Sequence, residues 1–274
     1  MMIKKWRQKK NGTDLPVPEQ KCSTQMSPGR NSADVPKLSC SGQNQAVALR
    51  HELKHTMNPA DCCALRAKLH LFFAYDDHAD ANGKYRIQSL YFDNPDNMVL
   101  RQKLDGVNNR EKFRIRCYNN DPGFIRLEKK SKINGLCGKQ AALLTREECE
   151  YLIRGDIRWM RESGNPLLLE LYTKMHYQML RPGTVVDYER VAYVYRPGNV
   201  RITLDSHMQT GLTGKDLFNP DLPVLAACRP DIVILEVKYD DFLPDPVADI
   251  VRIPNRRLLL VYLFSMFIKG RLPE

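Results

Sequence analysis

The 274-residue sequence has no apolar stretch long enough to cross a membrane as a helix. Its longest apolar run, Leu258 to Ile268, is about half of the roughly 20 residues that a span requires. No apolar core follows the basic N-terminal residues Met1 to Lys10, so a secretory leader is not expected and the predicted compartment is the cytoplasm. The eight cysteines (22, 40, 62, 63, 117, 137, 149 and 228) include no CxxC pair. This speaks for reduced thiols over a zinc knuckle or a disulfide framework. A GxxxxGK[ST] loop is also missing, so any bound phosphate has to be held by side chains and not by a P-loop backbone.

What the sequence has in excess is positive charge: 42 Lys plus Arg against 32 Asp plus Glu, a net +10, with 43% hydrophobic residues. Such a balance describes a globular protein with a polyanionic partner. Residues 1–45 are rich in Lys, Ser, Asn, Gln, Pro and Gly, show no periodicity, and read as a disordered basic tail. About half of the net charge lies there, since residues 1–48 hold eight basic and three acidic side chains. Residues 46–274 carry alternating helix and strand signals without a second linker, as expected of one domain.

Asn-Pro pairs at 58–59, 94–95 and 165–166 mark helix starts, because Asn caps free amides and Pro tolerates the first turn. Thr145 with Glu148 forms a capping box. The predicted helices cover 59–73, 95–103, 146–154, 166–180 and 255–269.

Between the helices, basic and apolar residues alternate. In Lys112-Phe113-Arg114-Ile115-Arg116 the three cations share one strand face. The same scheme recurs with Arg126, Glu128 and Lys130; with Arg201, Thr203 and Asp205; with Glu236 and Lys238; and with Arg50, Glu52 and Lys54, while Arg190 lies on a Tyr- and Val-rich stretch. One such strand is an ordinary sheet with a wet face. Six in one domain gather like charges that repel unless an anion sits among them. An α+β fold follows, with an antiparallel sheet closed around a basic lumen and helices packed outside.

Arginine forks and lysines in such a lumen suit phosphates. Glu236, with Glu52 or Glu128, then serves to hold a divalent cation that bridges to them. Metal-assisted phosphoryl transfer is the matching reaction class.

The segments RHELKH (50–55), SLYFDN (89–94), REKFRIRCY (110–118), LEKKSKINGLCGKQ (127–140), DYERVAY (187–193), VRITLD (200–205) and ILEVKYDDFLP (234–244) resemble, in order, the VTC domain. That domain is the polyphosphate polymerase module of the vacuolar transporter chaperone family, a branch of the triphosphate tunnel metalloenzymes. The resemblance implies an antiparallel eight-stranded tunnel barrel that passes the terminal phosphate of ATP to polyphosphate with Mn2+ or Mg2+. It implies catalytic roles for Arg114, Arg116, Lys130, Arg190 and Arg201, phosphate binding by Lys54 and Lys139, and metal binding by Glu236. Arg50, Arg126 and Lys238, on the same alternating faces, are expected to bind substrate. Where the family carries a phosphate-binding lysine near the C-terminus, this chain has Met266, so a triphosphatase or a non-catalytic polyphosphate-binding protein is the alternative. Arg256, Arg257 or Lys269 are the candidates to compensate. A membrane partner is compatible with this reading.

Two rivals follow from the residues themselves. His51-Glu52-Leu53-Lys54-His55 is a literal HExxH zinc-peptidase motif, but on a strand the histidines face away from the glutamate. Basic strand faces also suit nucleic acid, yet Phe113, Tyr118 and Phe124 fall mostly off the charged faces where stacking would be needed, so no nucleic acid is expected.

Overall fold

The computed structural model describes residues 50–211, 214–219, 221–252 and 257–258. The predicted tail, Arg256, Met266 and Lys269 lie outside the described residues.

The chain begins with strand β1 (His51–Met57) and helix α1 (Pro59–Phe72), capped by Asn58, whose side chain accepts from the Asp61 amide at 2.8 Å. The short β2 (Ala74–Tyr75) and the long β3 (Lys84–Asp93) lead to α2 (Met98–Leu104). The helix expected from residue 95 starts at Met98 because its cap is shared. Asn94 Oδ1 accepts from the Met98 amide at 2.8 Å, and the Asp93 carboxylate accepts from Val99 and Leu100 at 2.8 and 3.0 Å.

Next come β4 (Arg110–Tyr118), β5 (Ile125–Ile133) and β6 (Leu136–Leu144). β5 turns into β6 through Asn134 and Gly135, both at positive φ (47° and 87°), the conformation that a two-residue hairpin needs. α3 (Arg146–Arg154) carries the predicted Thr145–Glu148 capping box and stops at Gly155 in the left-handed region. A 3-10 turn precedes α4 (Pro166–Tyr177), and then come β7 (Arg181–Tyr195), β8 (Val200–Gly211), β9 (Val224–Ala226), β10 (Val233–Tyr239) and α5 (Asp245–Val251). Residues 257–258, expected in a helix, form the strand β11 on β1; the rest of that predicted helix after them lies outside the described residues.

All strands join one antiparallel sheet in the order β11-β1-β10-β8-β7-β3-β4-β5-β6, with β2 on β7 and β9 on β8. The eight strands from β1 to β6 in this order form the barrel wall. One antiparallel bridge, Arg50 to Cys137 with both N–H···O distances 3.2 Å, brings the start of β1 against β6 and curls the sheet on itself.

Two apolar cores cover the outer face. Phe92, Phe113, Ile115, Ile125 and Leu127 pack with Leu152 of α3 and Leu168 and Leu171 of α4. Leu65 and Leu69 of α1 and Val247 of α5 pack on Val191, Tyr193, Ile202, Leu204 and Leu235. Each fully buried side chain of this size contributes about 1.5–3 kcal/mol. These cores fix the strand register, because a slip of one residue would exchange the apolar and charged faces.

The inner face departs from a uniformly basic lumen. It is charged along β1, β4, β5 and β10, but Tyr85, Ile87 and Tyr91 of β3 pack there with Tyr118, Val186, Tyr188, Met208 and Ile234. β3 reads KYRIQSLYFD, with no run of alternating cations to announce which face turns inward.

Candidate functional site

Register places the charged residues side by side. Lys54 stands opposite Glu236 and Glu52 opposite Lys238 across β1 and β10, while Arg114 pairs with Glu128 and Lys112 with Lys130 across β4 and β5. All of these except Glu128 line an inner cavity of about 420 Å3. Seven of the sequence-predicted site residues line it: Lys54, Arg114, Arg116, Lys130, Arg190, Glu236 and Lys238.

Glu236 is nearly inaccessible at 3% side-chain exposure and lies 2.7 Å from both Lys54 and Lys238, with Arg190 at 3.8 Å. Burial opposes its charge, but Lys238 and Lys54 outweigh it and hold the carboxyl well below the usual range. Glu52 bonds Lys130 and lies 3.2 Å from Lys54. Burial likewise opposes the charge of Lys54, and Glu236 and Glu52 together raise its pKa. Arg190 grips Asp205 through two bonds of 2.6 and 2.7 Å. Arg116 donates to Ser89 Oγ and Tyr188 OH at 3.1 and 2.9 Å, and Arg114 donates to Glu128 and to Tyr91 OH at 2.8 and 2.9 Å. Each arginine is thus held by a fixed partner, as a preorganised anion site requires.

Four predicted residues stand elsewhere. Arg50 bonds Asp240 at 2.6 Å and the Asn199 carbonyl, at the strand ends where the barrel closes. Arg126 lies over the Phe124 ring, 4.4 Å from its centre. Lys139 contacts Glu128 at 2.5 Å and is half-exposed. Arg201 bonds Asp76 and Tyr85 OH, each at 2.9 Å. None of the four is among the described residues lining the cavity. Glu128, one of the alternative metal ligands, pairs with Arg114 and Lys139 and is not among the described residues lining the cavity.

The cavity also contains groups beyond the predicted set. Lys112 follows from the same alternation as Arg114 and Arg116; burial lowers its pKa to about 8, as it does for Lys238. Lys103 reaches the cavity from α2, and burial together with Lys112 and Lys54 lowers it to about 5. Nothing in the sequence around Lys103 announces this, because its helix enters the site only through its packing between β3 and β4. A neighbouring cavity of about 550 Å3 shares Arg110, Glu111 and Lys112, but its own lysines, Lys129 and Lys174, are already bound by Glu111, and Lys129 also by Glu170.

A divalent cation can be tested against these donors. Among the described residues no group of three or more His, Cys, Asp or Glu side chains forms a cage. Glu52 and Glu236 do face each other closely enough to interact directly. Two carboxylates fit a cation such as Mg2+, whose remaining ligands are substrate phosphates and water. The HExxH motif is not a metal site, because it lies on β1 and His51 stacks on Tyr239 with ring centres 5.1 Å apart.

No curated protein matches the chain at a significant level. Among solved structures, a presumed adenylate cyclase from Bacillus halodurans is 12% identical, covering 77% of this chain and 95% of its own, with a TM-score of 0.41. A Pyrococcus horikoshii protein is 15% identical over 73% and 84%, with a TM-score of 0.38. A presumed adenylate cyclase from Vibrio parahaemolyticus is 12% identical over 74% and 83%, at 0.36. The family model of the VTC domain matches residues 49–272, nearly the whole span that carries the barrel, and the chain belongs to the VTC domain family.

Proposed function

We propose that the protein transfers the terminal phosphoryl group of ATP to the end of a polyphosphate chain inside this cavity. The observation that carries the reading is the convergence of Lys54, Arg114, Arg116, Lys130, Arg190 and Lys238 on one enclosed space that also holds Glu52 and Glu236. Side chains of a purely structural ion-pair network would pair off one to one. Among the described residues that line the cavity, ten Lys and Arg stand against four Asp and Glu, a balance that favours a bound anion.

The transfer breaks the bond between the terminal phosphorus and its bridging oxygen, which leaves with ADP and keeps the electron pair. A terminal oxygen of the acceptor chain forms the new bond. Arg114, Arg116 and Arg190, each fixed by a hydrogen-bonded partner, bind the equatorial oxygens and stabilise the charge that spreads over them. Lys54, Lys130 and Lys238 hold the flanking phosphates, Lys112 extends the cationic wall toward α2, and Lys103, neutral near pH 7 without an anion, takes up a proton there as the anion binds. Glu236 and Glu52 would hold Mn2+ or Mg2+, which when bound neutralises phosphate charge.

Incubation with ATP, Mn2+ and a short polyphosphate primer followed by polyacrylamide electrophoresis tests the reading: chains longer than the primer are expected. ADP and orthophosphate without chains would instead identify a triphosphatase, the reading in which water takes the acceptor's place. Arg114→Ala and Glu236→Ala should each lower turnover by about 100-fold or more, as for removal of a transition-state charge partner. Retention of full turnover in both would place the chemistry elsewhere.

A further inference from the structure

The neighbouring cavity of about 550 Å3 lies on the other side of the β4–β5 wall. Glu111 and Lys129 line it together with Phe113 of the outer core, one residue out of phase with Lys112 and Lys130 of the inner cavity. The two cavities meet at the strand ends. Arg110 stands opposite Lys132 in the β4–β5 register, and both residues, with Val99, Lys112 and Ser131, line both spaces.

Charge divides along this path. The shared edge is cationic, with Arg110, Lys112 and Lys132. Farther out, Glu111 binds Lys174 and lies 2.9 Å from Lys129, and Glu170 binds Lys129 as well. Two lysines against two carboxylates leave this part without net charge, so further phosphates gain little there. What it offers instead is an apolar floor and amide groups. Met98 lines the floor with Phe113 and Leu180, both buried in the outer core. Gln102 of α2, Gln140 of β6 and Gln178 at the end of α4 stand around it. A carboxamide both donates and accepts, which suits the ring nitrogens of a base and the hydroxyls of a ribose. The volume is that of a small-molecule site, roughly 300–1,000 Å3.

We infer that this outer cavity holds the nucleoside of the phosphate donor, its base and ribose on the Met98 and Leu180 floor and its phosphates passing the Arg110–Lys132 edge into the inner cavity. This assignment rests on the proposed function and adds to it a second subsite. It makes the donor a nucleotide by construction, because inorganic polyphosphate fills the inner cavity alone.

Calorimetric titration of the full chain with ATP, and separately with inorganic tripolyphosphate, tests the assignment. Gln140 and Gln178 are exposed and lie outside the inner cavity, so Gln140→Ala and Gln178→Ala are expected to fold. Together they should weaken ATP binding about tenfold, the worth of two neutral hydrogen bonds, and leave tripolyphosphate unchanged. Saturation-transfer NMR on the wild type reads the same contact without a variant: irradiation at methyl frequencies should saturate the adenine protons of ATP. Equal effects on the two ligands, no effect on ATP, or no transfer to adenine overturns the nucleoside subsite while tripolyphosphate binding leaves the proposed function standing. Failure of the wild type to bind either ligand overturns the proposed function itself.

Discussion

Glu128 shows how one side chain can serve a site it does not line. It is 1% exposed and takes Arg114 at 2.6 Å and Lys139 at 2.5 Å. Burial opposes its charge, but Arg114 and Arg116 outweigh it and hold the carboxyl far below the usual carboxylate range. Glu128→Gln leaves the guanidinium of Arg114 short of its counter-charge, so a loss of about 3–5 kcal/mol is expected in urea unfolding, the cost of breaking a buried pair. The sign of the pH effect follows from the depressed pKa. The stabilisation from Glu128 and Glu236 is full above about 4.5, their ordinary value, and is lost as the pH falls below it toward their folded values. Lys112 and Lys238 act in the opposite range. With pKa values lowered to about 8 they lose their protons as the pH rises through 8, and tripolyphosphate affinity should fall there. Because the bound anion favours the charged amines, calorimetry near pH 8 in buffers of different ionisation enthalpy should record proton uptake on binding. No buffer dependence would mean that these lysines do not meet the anion. At this scale alternation made Lys54, Arg114, Arg116, Lys130 and Glu236 legible, since each lies on a period-two face. Lys103 was not legible, because a lone lysine on a seven-residue helix looks like any solvated one.

Among the elements, α2 is the one whose placement matters most to the site. Asp93 receives the amides of Asn94, Val99 and Leu100, and so ties the end of β3 to the first turn of α2. Asp93→Ala should cost about 1–2 kcal/mol of stability, as loss of a helix cap does, and should also weaken tripolyphosphate binding because Lys103 shifts. By contrast, Thr145→Ala at α3 should cost about 1 kcal/mol and leave binding unchanged, since α3 covers the outer face away from the cavity. Comparing the two variants by thermal melts and by titration separates a positioning element from a merely covering one. The sequence placed α1, α3 and α4 within a few residues, because Asn-Pro and the capping box act locally. It placed α2 three residues early because the Asp93 side chain, which has no proline signal, shares the cap.

For the whole molecule, the barrel collects cations that repel one another when no anion is present. A ligand that binds only the folded chain at 100 times its dissociation constant adds about 2.7 kcal/mol. Tripolyphosphate should therefore raise the thermal midpoint by about 5–10 °C for a chain of this size, whereas the same ionic strength of KCl should not. A midpoint that follows ionic strength alone would show that the lumen binds no specific anion.

The sequence by itself determined which residues share a face and where most helices begin, because strand alternation and helix caps act over a few residues. It also determined the family, through seven ordered segments. Only the tertiary structure decided which faces meet: that β3 fills part of the lumen with tyrosines, that Arg50 pairs with Asp240 at the closing strand ends, and that Asp76 reaches Arg201 from 125 residues away in sequence. Such contacts depend on the order of strands around the barrel and on which outer face each helix covers, and no local pattern encodes either.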